Sequence, residues 1–320
     1  MVGMPEAIKF EDSDCPLCGK TPAAEVFSGR DLLHDLPGRF TVVRCTGCGL
    51  KRTSPRPTPD TIGFYYPSDY GAYVDPRAVT PLGTGTGLKA RFLARLKRVF
   101  DTRAHAMPDL PPGRLLEVGC ATGAFMKEMA DAGWDVEGVE FSSEAASTAR
   151  SLGFPVTTGA LETIDLPAEN YDLITAWMVL EHLHQPVDVL AKMRKWIRPD
   201  GRLVISVPDA GGIEFRLFKS DWYALQLPTH LFHYDPANLD RLLARCGWKV
   251  VRLQHQRTMA NWIGSIGYAL RSRGFDRLAR LLIAFPERGG RLGALVLFPL
   301  SLLAAAFGQT GRMTIWAEPA

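Results

Sequence analysis

A chain of 320 residues, 46% hydrophobic and 22% charged, can bury a large core, which excludes a disulfide miniprotein and a disordered chain. A net charge of +3 is too small to argue for a nucleic-acid partner by itself. Six cysteines are few for this length, and the amino terminus has early acids and no apolar core, so a reducing, cytoplasmic setting is expected rather than secretion.

Two C-x-x-C pairs come first, Cys15/Cys18 in "CPLCG" and Cys45/Cys48 in "CTGCGL", each with a glycine after its second cysteine. Two such knuckles can present four thiolates to one zinc ion at about 2.3 Å. The pattern predicts a closed, structural, zinc-ribbon-like four-cysteine module over residues 1–55, folded by its metal rather than by a core. Residues 56–108 read as a linker that opens in a Pro-rich stretch and ends in a basic cap helix, "LKARFLARLKRVFDTRAHAM". Cys120 and Cys246 stand apart and read as packed thiols.

From Arg114 strands and helices alternate. "RLLEVGC", "WDVEGVE", "FPVTTG", "YDLITAW", "GRLVISVP" and "WKVVRLQHQ" read as strands, and "MTIWAEP" supplies the last after a detour of about fifty residues. Helices are expected at Gly123–Ala132, 142–153, 178–183, 186–197 and after Pro236. The fold class is therefore α/β: a Rossmann-like, doubly wound, seven-stranded sheet over 109–257 with 311–320, preceded by the small zinc module. A helical insertion over 258–310 precedes the last strand.

Ligands of such sheets bind beyond the carboxyl ends of the strands. The first turn there is "EVGCATG", where Gly119 and Gly123 permit a sharp bend and a close approach. The next strand ends in Glu140, seventeen residues on, placed to accept hydrogen bonds from a ribose diol. Close-set G-x-G-x-x-G glycines for a pyrophosphate are missing, which argues for a nucleoside without a diphosphate.

"LLEVGCATGAF", "WDVEGVE", "GALETIDLP" and "YDLITAWMVLEHLHQPVDVLAKMRKWIRPDGRLVISVPD", in this order, resemble the motifs of class I S-adenosylmethionine-dependent methyltransferases. The resemblance covers roughly Arg114 to Val251 plus the final strand and implies S-adenosylmethionine as cofactor. It places Glu117 near the amino-acid end of the cofactor, Gly119, Ala121 and Gly123 in the binding turn, and Glu140 on the ribose. Leu161 and Glu162 would frame the adenine; Ala176, Trp177 and Met178 would line the site. Ala121 departs from the commoner glycine, a mild change unless φ is positive there.

Transfer from a sulfonium is an in-line displacement, helped by alignment and by a base that takes the acceptor's proton. Four histidines fall where the resemblance puts the acceptor: His182 and His184 in "EHLHQP", His230 and His233 in "LPTHLFHY". "SDWYALQLPTHLFHYDPANLDRLL" is similar to a pocket-entering segment of one branch of the family, matching at Trp222, Pro228, His230 and Leu231. His230 is expected to be the base, with Glu181 and His182 as a supporting pair. His182 and His233 also fit a purely packing role, and His184 reads as a surface residue.

In the insertion, "FDRLARLLIAF" sets Phe275, Leu278, Leu281, Leu282 and Phe285 against Arg273, Arg277 and Arg280, an amphipathic basic helix. "LGALVLFPLSLLAAAF" follows, sixteen residues without a charge. As a helix it spans about 24 Å, short of the roughly 30 Å hydrocarbon core. A lid on the domain, a hairpin dipping into one leaflet at the inner face of the membrane, and a homodimer interface all remain open. Peripheral membrane contact is favoured, because residues 258–310 hold six arginines against two acids.

Together these features predict an enzyme that methylates an oxygen or carbon of a small-molecule or lipid-linked acceptor. "RCTGCGLKRTSPRP" resembles the amino-terminal module of a methyltransferase branch tied to sugar and cell-envelope glycan modification. A nucleotide- or lipid-linked sugar is therefore the first acceptor considered, and a quinone-like lipid phenol the second. The reading from another class is an RNA-binding zinc-module protein or RNA methylase; aromatic and basic residues are not interleaved as that needs. A cofactor-binding subunit without turnover is the third.

Overall fold

The computed structural model describes residues 8–19, 22–67, 110–288 and 290–320, with side chains except at 287–295. The expected cap helix and most of the linker lie outside the described residues.

The amino-terminal strands are β1 (Phe10–Glu11), β2 (Ala23–Gly29), β3 (Phe40–Cys45), β4 (Lys51–Thr53) and β5 (Arg56–Pro57). β1 pairs with β5, which ties the start of the module to Arg56 and Pro57. β2, β3 and β4 form an antiparallel sheet, and the free edge of β4 is covered by a strand from far along the chain, β11 (Phe232–His233). An uncovered edge would present unpaired N–H and C=O groups, and β11 satisfies them. The module and the following domain thus share a sheet, which no local pattern announces.

The main sheet runs β12-β13-β10-β9-β6-β7-β8. Its strands are β6 (Arg114–Val118), β7 (Asp135–Glu140), β8 (Val156–Thr158), β9 (Tyr171–Trp177), β10 (Ile197–Pro208), β12 (Trp248–His255) and β13 (Arg312–Pro319). β6 to β10 pair in parallel, and β13 runs antiparallel between β10 and β12. Leu115, Leu116, Leu173, Ile174, Leu203 and Val204 are all buried, as strands covered on both faces require.

The helices are α1 (Ala124–Asp131), α2 (Ser143–Ser151), α3 (Pro186–Trp196), α4 (Ile213–Phe218), α5 (Pro236–Arg245), α6 (Ala260–Arg271), α7 (Asp276–Arg288) and α8 (Gly290–Ala306). Ser142 caps α2 by accepting the Ala145 N–H at 3.3 Å, and Asp235 caps α5 by accepting the Asn238 N–H at 2.9 Å. From α5, Arg241 and Arg245 donate to the carbonyls of Cys48 and Leu17 at 2.8 and 3.3 Å, which fastens the cysteine module to the domain. The strand order reverses between β6 and β9, so the carboxyl edge there is the place for a ligand.

Candidate active site

The turn from β6 into α1 lies at that edge. Gly119 has φ +72, and a Cβ there would meet Val179 Cγ2 at 2.5 Å; Gly123 has φ +81, and a Cβ there would meet the Ala149 Cβ at 3.0 Å. Both positions need glycine for left-handed backbone and for close packing. Protein side chains stand where a Cβ would lie at both glycines, which keeps the turn tight. Ala121 has φ 47, where an L-residue pays about 1 kcal/mol, so its departure from glycine is not mild.

Glu140 ends β7 and faces the turn. Its Oε2 accepts the Ala121 N–H and its Oε1 the Ser142 N–H, each at 2.8 Å. Burial raises its carboxyl, while the N–H groups of Ser142, Ala121 and Phe141 pull it back. Glu117, on the adjacent strand, is buried with Oε2 unpartnered. Burial, and then the charge of Glu140, push the Glu117 carboxyl well above its usual range. An orphaned buried carboxylate beside a second acid leaves something for a ligand's ammonium and diol to satisfy, so these residues fit S-adenosylmethionine.

The Gly159 N–H donates to the Glu140 carbonyl at 3.0 Å, which brings the segment after β8 to the same edge. Leu161 is buried there, while the Glu162 Oε1 accepts the His184 N–H at 3.2 Å. Ala176 is buried at the end of β9, and Trp177 meets Phe125 edge to face at 5.3 Å. Met178 has φ 56 and donates its N–H to Ser206 O at 2.8 Å. Left-handed Ala121 and Met178 therefore flank one site, as strained residues tend to do where function holds them.

Glu181, His182 and His230 come together, with one ligating atom from each within 4.8 Å of the others. The rings of His182 and His230 stand edge to face at 4.6 Å. His230 Nδ1 lies 2.9 Å from the Ala224 carbonyl and His182 Nδ1 lies 2.9 Å from the Thr229 carbonyl. A carbonyl only accepts, so each Nδ1 carries the proton and each Nε2 is the bare nitrogen. Tyr66 Oη also reaches His182 Nδ1, at 2.9 Å. Burial lowers the His182 imidazole to about 4 and the His230 imidazole well below its usual value, so both stay neutral at physiological pH.

Glu181 is fully buried, and neither carboxylate oxygen meets a donor on another described residue. Burial raises its carboxyl to about 8 despite its own N–H and Arg312. His233 does not join the cluster: it is buried in β11, with Nε2 at 3.2 Å from Thr53 Oγ1. His184 is corrected from a surface residue to a half-buried one whose Nε2 lies 3.0 Å from Pro57 O.

Two residues of this region carried no sequence signal. Glu214, on α4, is fully buried, with the Trp222 side chain as its hydrogen-bonding neighbour. Burial raises it to about 8, with Arg312 opposing. Arg312 also acts on Glu181 and His230 and donates Nε to Asn261 Oδ1 at 3.1 Å. A Cβ at Gly311 would fall 1.6 Å from Glu214 Oε1, so glycine there makes room for this acid. The "IEF" around Glu214 has no spacing that singles it out.

The four cysteines cluster as expected. Cys15 and Cys48 sulfurs are 3.3 Å apart, those of Cys18 and Cys45 are 3.5 Å apart, and all four lie within 4.8 Å. Tetrahedral zinc at about 2.3 Å would set sulfurs roughly 3.8 Å apart, close to this arrangement. Each knuckle closes on the glycine the sequence singles out: Gly19 N–H donates to Cys15 O at 2.8 Å and Gly49 N–H to Cys45 O at 2.9 Å. Cys120 and Cys246 are buried apart from the cluster.

Curated relatives bear on this site. The chain is 33% identical over 101 residues to the ubiquinone biosynthesis O-methyltransferase of Photobacterium profundum, covering 29% of this chain and 43% of that protein. It is 27% identical over 168 residues to the enzyme of that name from Burkholderia pseudomallei, covering 48% of this chain and 71% of that one. The chain thus spans under half the length of the first relative. Among solved structures, an S-adenosylmethionine-dependent methyltransferase from Mesorhizobium loti is 14% identical with a TM-score of 0.46, covering 70% of this chain and 97% of that one. At that score the likeness carries no argument. A family profile described as a methyltransferase domain matches residues 86–253, just over half of the chain. The chain belongs to this family of methyltransferase domains.

Proposed function

We propose that this enzyme methylates a hydroxyl oxygen, and that the acceptor is the phenol of a quinone-type lipid. The observation that carries the reading is the pair of bare Nε2 atoms on His182 and His230, set beside Glu181. The names of the curated relatives support a phenol and oxygen over carbon.

In this reading Glu140 holds the ribose diol and Glu117 the ammonium of S-adenosylmethionine, which supplies a methyl group activated for displacement. Trp177 and Met178 wall the site. His230 Nε2 takes the acceptor's proton as its oxygen attacks. The Nδ1–H bond to Ala224 O fixes the His230 ring and leaves Nε2 free to take the proton. His182 holds the opposite edge of the same space. The module carries a structural zinc ion on Cys15, Cys18, Cys45 and Cys48, with no part in the chemistry because four thiolates close its coordination.

A nucleotide- or lipid-linked sugar is the second reading. The buried carboxyl of Glu181 favours it, because it can hydrogen-bond the hydroxyls of a sugar. Incubation with cofactor labelled at the methyl group, offered short-chain quinols, sugar nucleotides and lipid extracts in parallel, separates the two by mass spectrometry. Label on a phenolic oxygen is expected. Label on sugar alone overturns the phenol.

A further inference from the structure

The insertion keeps its largest apolar side chains on the outside. On and just before α7, Phe275, Leu278 and Leu281 are 59, 51 and 72% exposed. On and just after α8, Val296, Leu300, Leu303 and Phe307 are 70, 50, 58 and 72% exposed. Steps of three and four residues put each set on one side of its helix. Large apolar side chains left outside in rows of this kind mark a surface that meets something other than water.

The opposite faces are fixed by close packing. A Cβ on Gly267 of α6 would meet the Ile283 nitrogen at 2.9 Å and the Ala279 carbonyl at 3.2 Å, so α7 lies backbone to backbone on α6. Ala279, Phe298 and Ser301 are buried. Turning α7 over would replace alanine at this tight contact by leucine, so its outward row is not free to fold inward.

Charge decides between partners. Arg273, Arg277 and Arg280 are exposed, and Asp276 is the only acid in residues 272–286. A twofold contact between two copies of α7 would bring these arginines towards each other. A surface with anionic headgroups above and acyl chains below receives arginines and apolar side chains together. No described helix is long and apolar enough to cross a membrane. The chain also returns from α8 to the sheet, where Trp262 Nε1 donates to Gln309 O at 2.7 Å and Asn261 Nδ2 to Gly311 O at 3.0 Å.

We propose that the exposed faces of α7 and α8 dock on an anionic bilayer surface and enter the headgroup–acyl boundary without spanning it. The docked insertion touches the acceptor segment directly: Ser265 Oγ, on α6, accepts the Tyr223 N–H at 2.9 Å, and Tyr268 stacks on Tyr223 at 5.6 Å. Membrane contact and the His230 segment are therefore mechanically joined through α6.

Flotation of the full-length, zinc-loaded chain with lipid vesicles tests this. Binding to phosphatidylcholine vesicles containing phosphatidylglycerol is expected, at least about tenfold stronger than to phosphatidylcholine alone and weakened by salt. Leu281→Glu with Phe307→Glu abolishes flotation while S-adenosylmethionine binding persists. Arg277→Glu with Arg280→Glu removes the preference for the anionic lipid. The proposal is overturned if the chain floats with neither vesicle. It is equally overturned if the chain is a dimer dispersed by Leu281→Glu and indifferent to lipid.

Discussion

His182 and His230 meet edge to face at 4.6 Å although forty-eight positions separate them, and each gives its Nδ1 proton to a backbone carbonyl. Replacing His230 by alanine is expected to lower kcat by about a hundredfold or more with the affinity for S-adenosylmethionine unchanged. His182→Ala should cost less in kcat. Single-turnover rates and calorimetry on the two variants check this. Unaltered methyl transfer by His230→Ala would remove it as the base.

Glu140 holds the cofactor turn through Ala121 and Ser142, and in our reading it also receives the ribose. Glu140→Gln keeps the shape and loses the charge. The Kd for S-adenosylmethionine should rise by roughly tenfold to a hundredfold, as for a hydrogen bond to a charged group. Titration calorimetry reads it, and an unchanged Kd would sink the assignment.

Ala121 sits at φ 47 where glycine is at ease. Ala121→Gly releases about 1 kcal/mol of backbone strain and gives part of it back through greater freedom of the unfolded chain. Denaturant unfolding should show a variant no less stable than the parent. A loss above about 1 kcal/mol would mean the Ala121 methyl makes packing contacts that outweigh the strain.

Burial raises the Glu214 carboxyl to about 8 from a usual value of 4.5. The folded chain thus holds this proton more tightly than the unfolded chain does. Its contribution to stability is complete below about pH 4.5, falls as pH rises, and levels off above about 8. Glu214→Gln should flatten that decline by, at most, on the order of 1 kcal/mol per pH unit. Melting curves from pH 5 to 9, roughly this window, provide the readout. Parallel declines in variant and parent would contradict it.

Four clustered thiols predict one zinc ion per chain by elemental analysis. Cys45→Ser should lose the metal and lower Tm, because the four sulfurs are what join the two knuckles to each other. The joint at β4 and β11 carries that loss towards the acceptor segment: Thr53 Oγ1 donates to His230 O at 2.8 Å. A fully stable, metal-free variant would count against a structural zinc ion.

Much of the architecture was legible because it is local. Alternating apolar runs and helical periods marked out the seven strands, and Ser142, Gly153 and the two cysteine knuckles each fulfil the turn or cap their residue types favour. Glu140 was legible too, since its place at a strand end fixes which edge it faces. The two glycines were legible as a sharp turn, and only the packed structure adds that Val179 and Ala149 stand where their side chains would be.

The amino-acid order by itself determined the elements, their sequence and the residue types at the cofactor turn, because backbone propensity and the repeat of buried positions act over a few residues. Only the tertiary structure decided that β11 completes the cysteine module's sheet, that Arg312 comes near both Glu181 and Glu214, and that α7 turns its large side chains outward. Those outcomes depend on edges, buried charge and close packing between segments far apart in the chain. They exist only once the chain has closed on itself, so no local pattern encodes them.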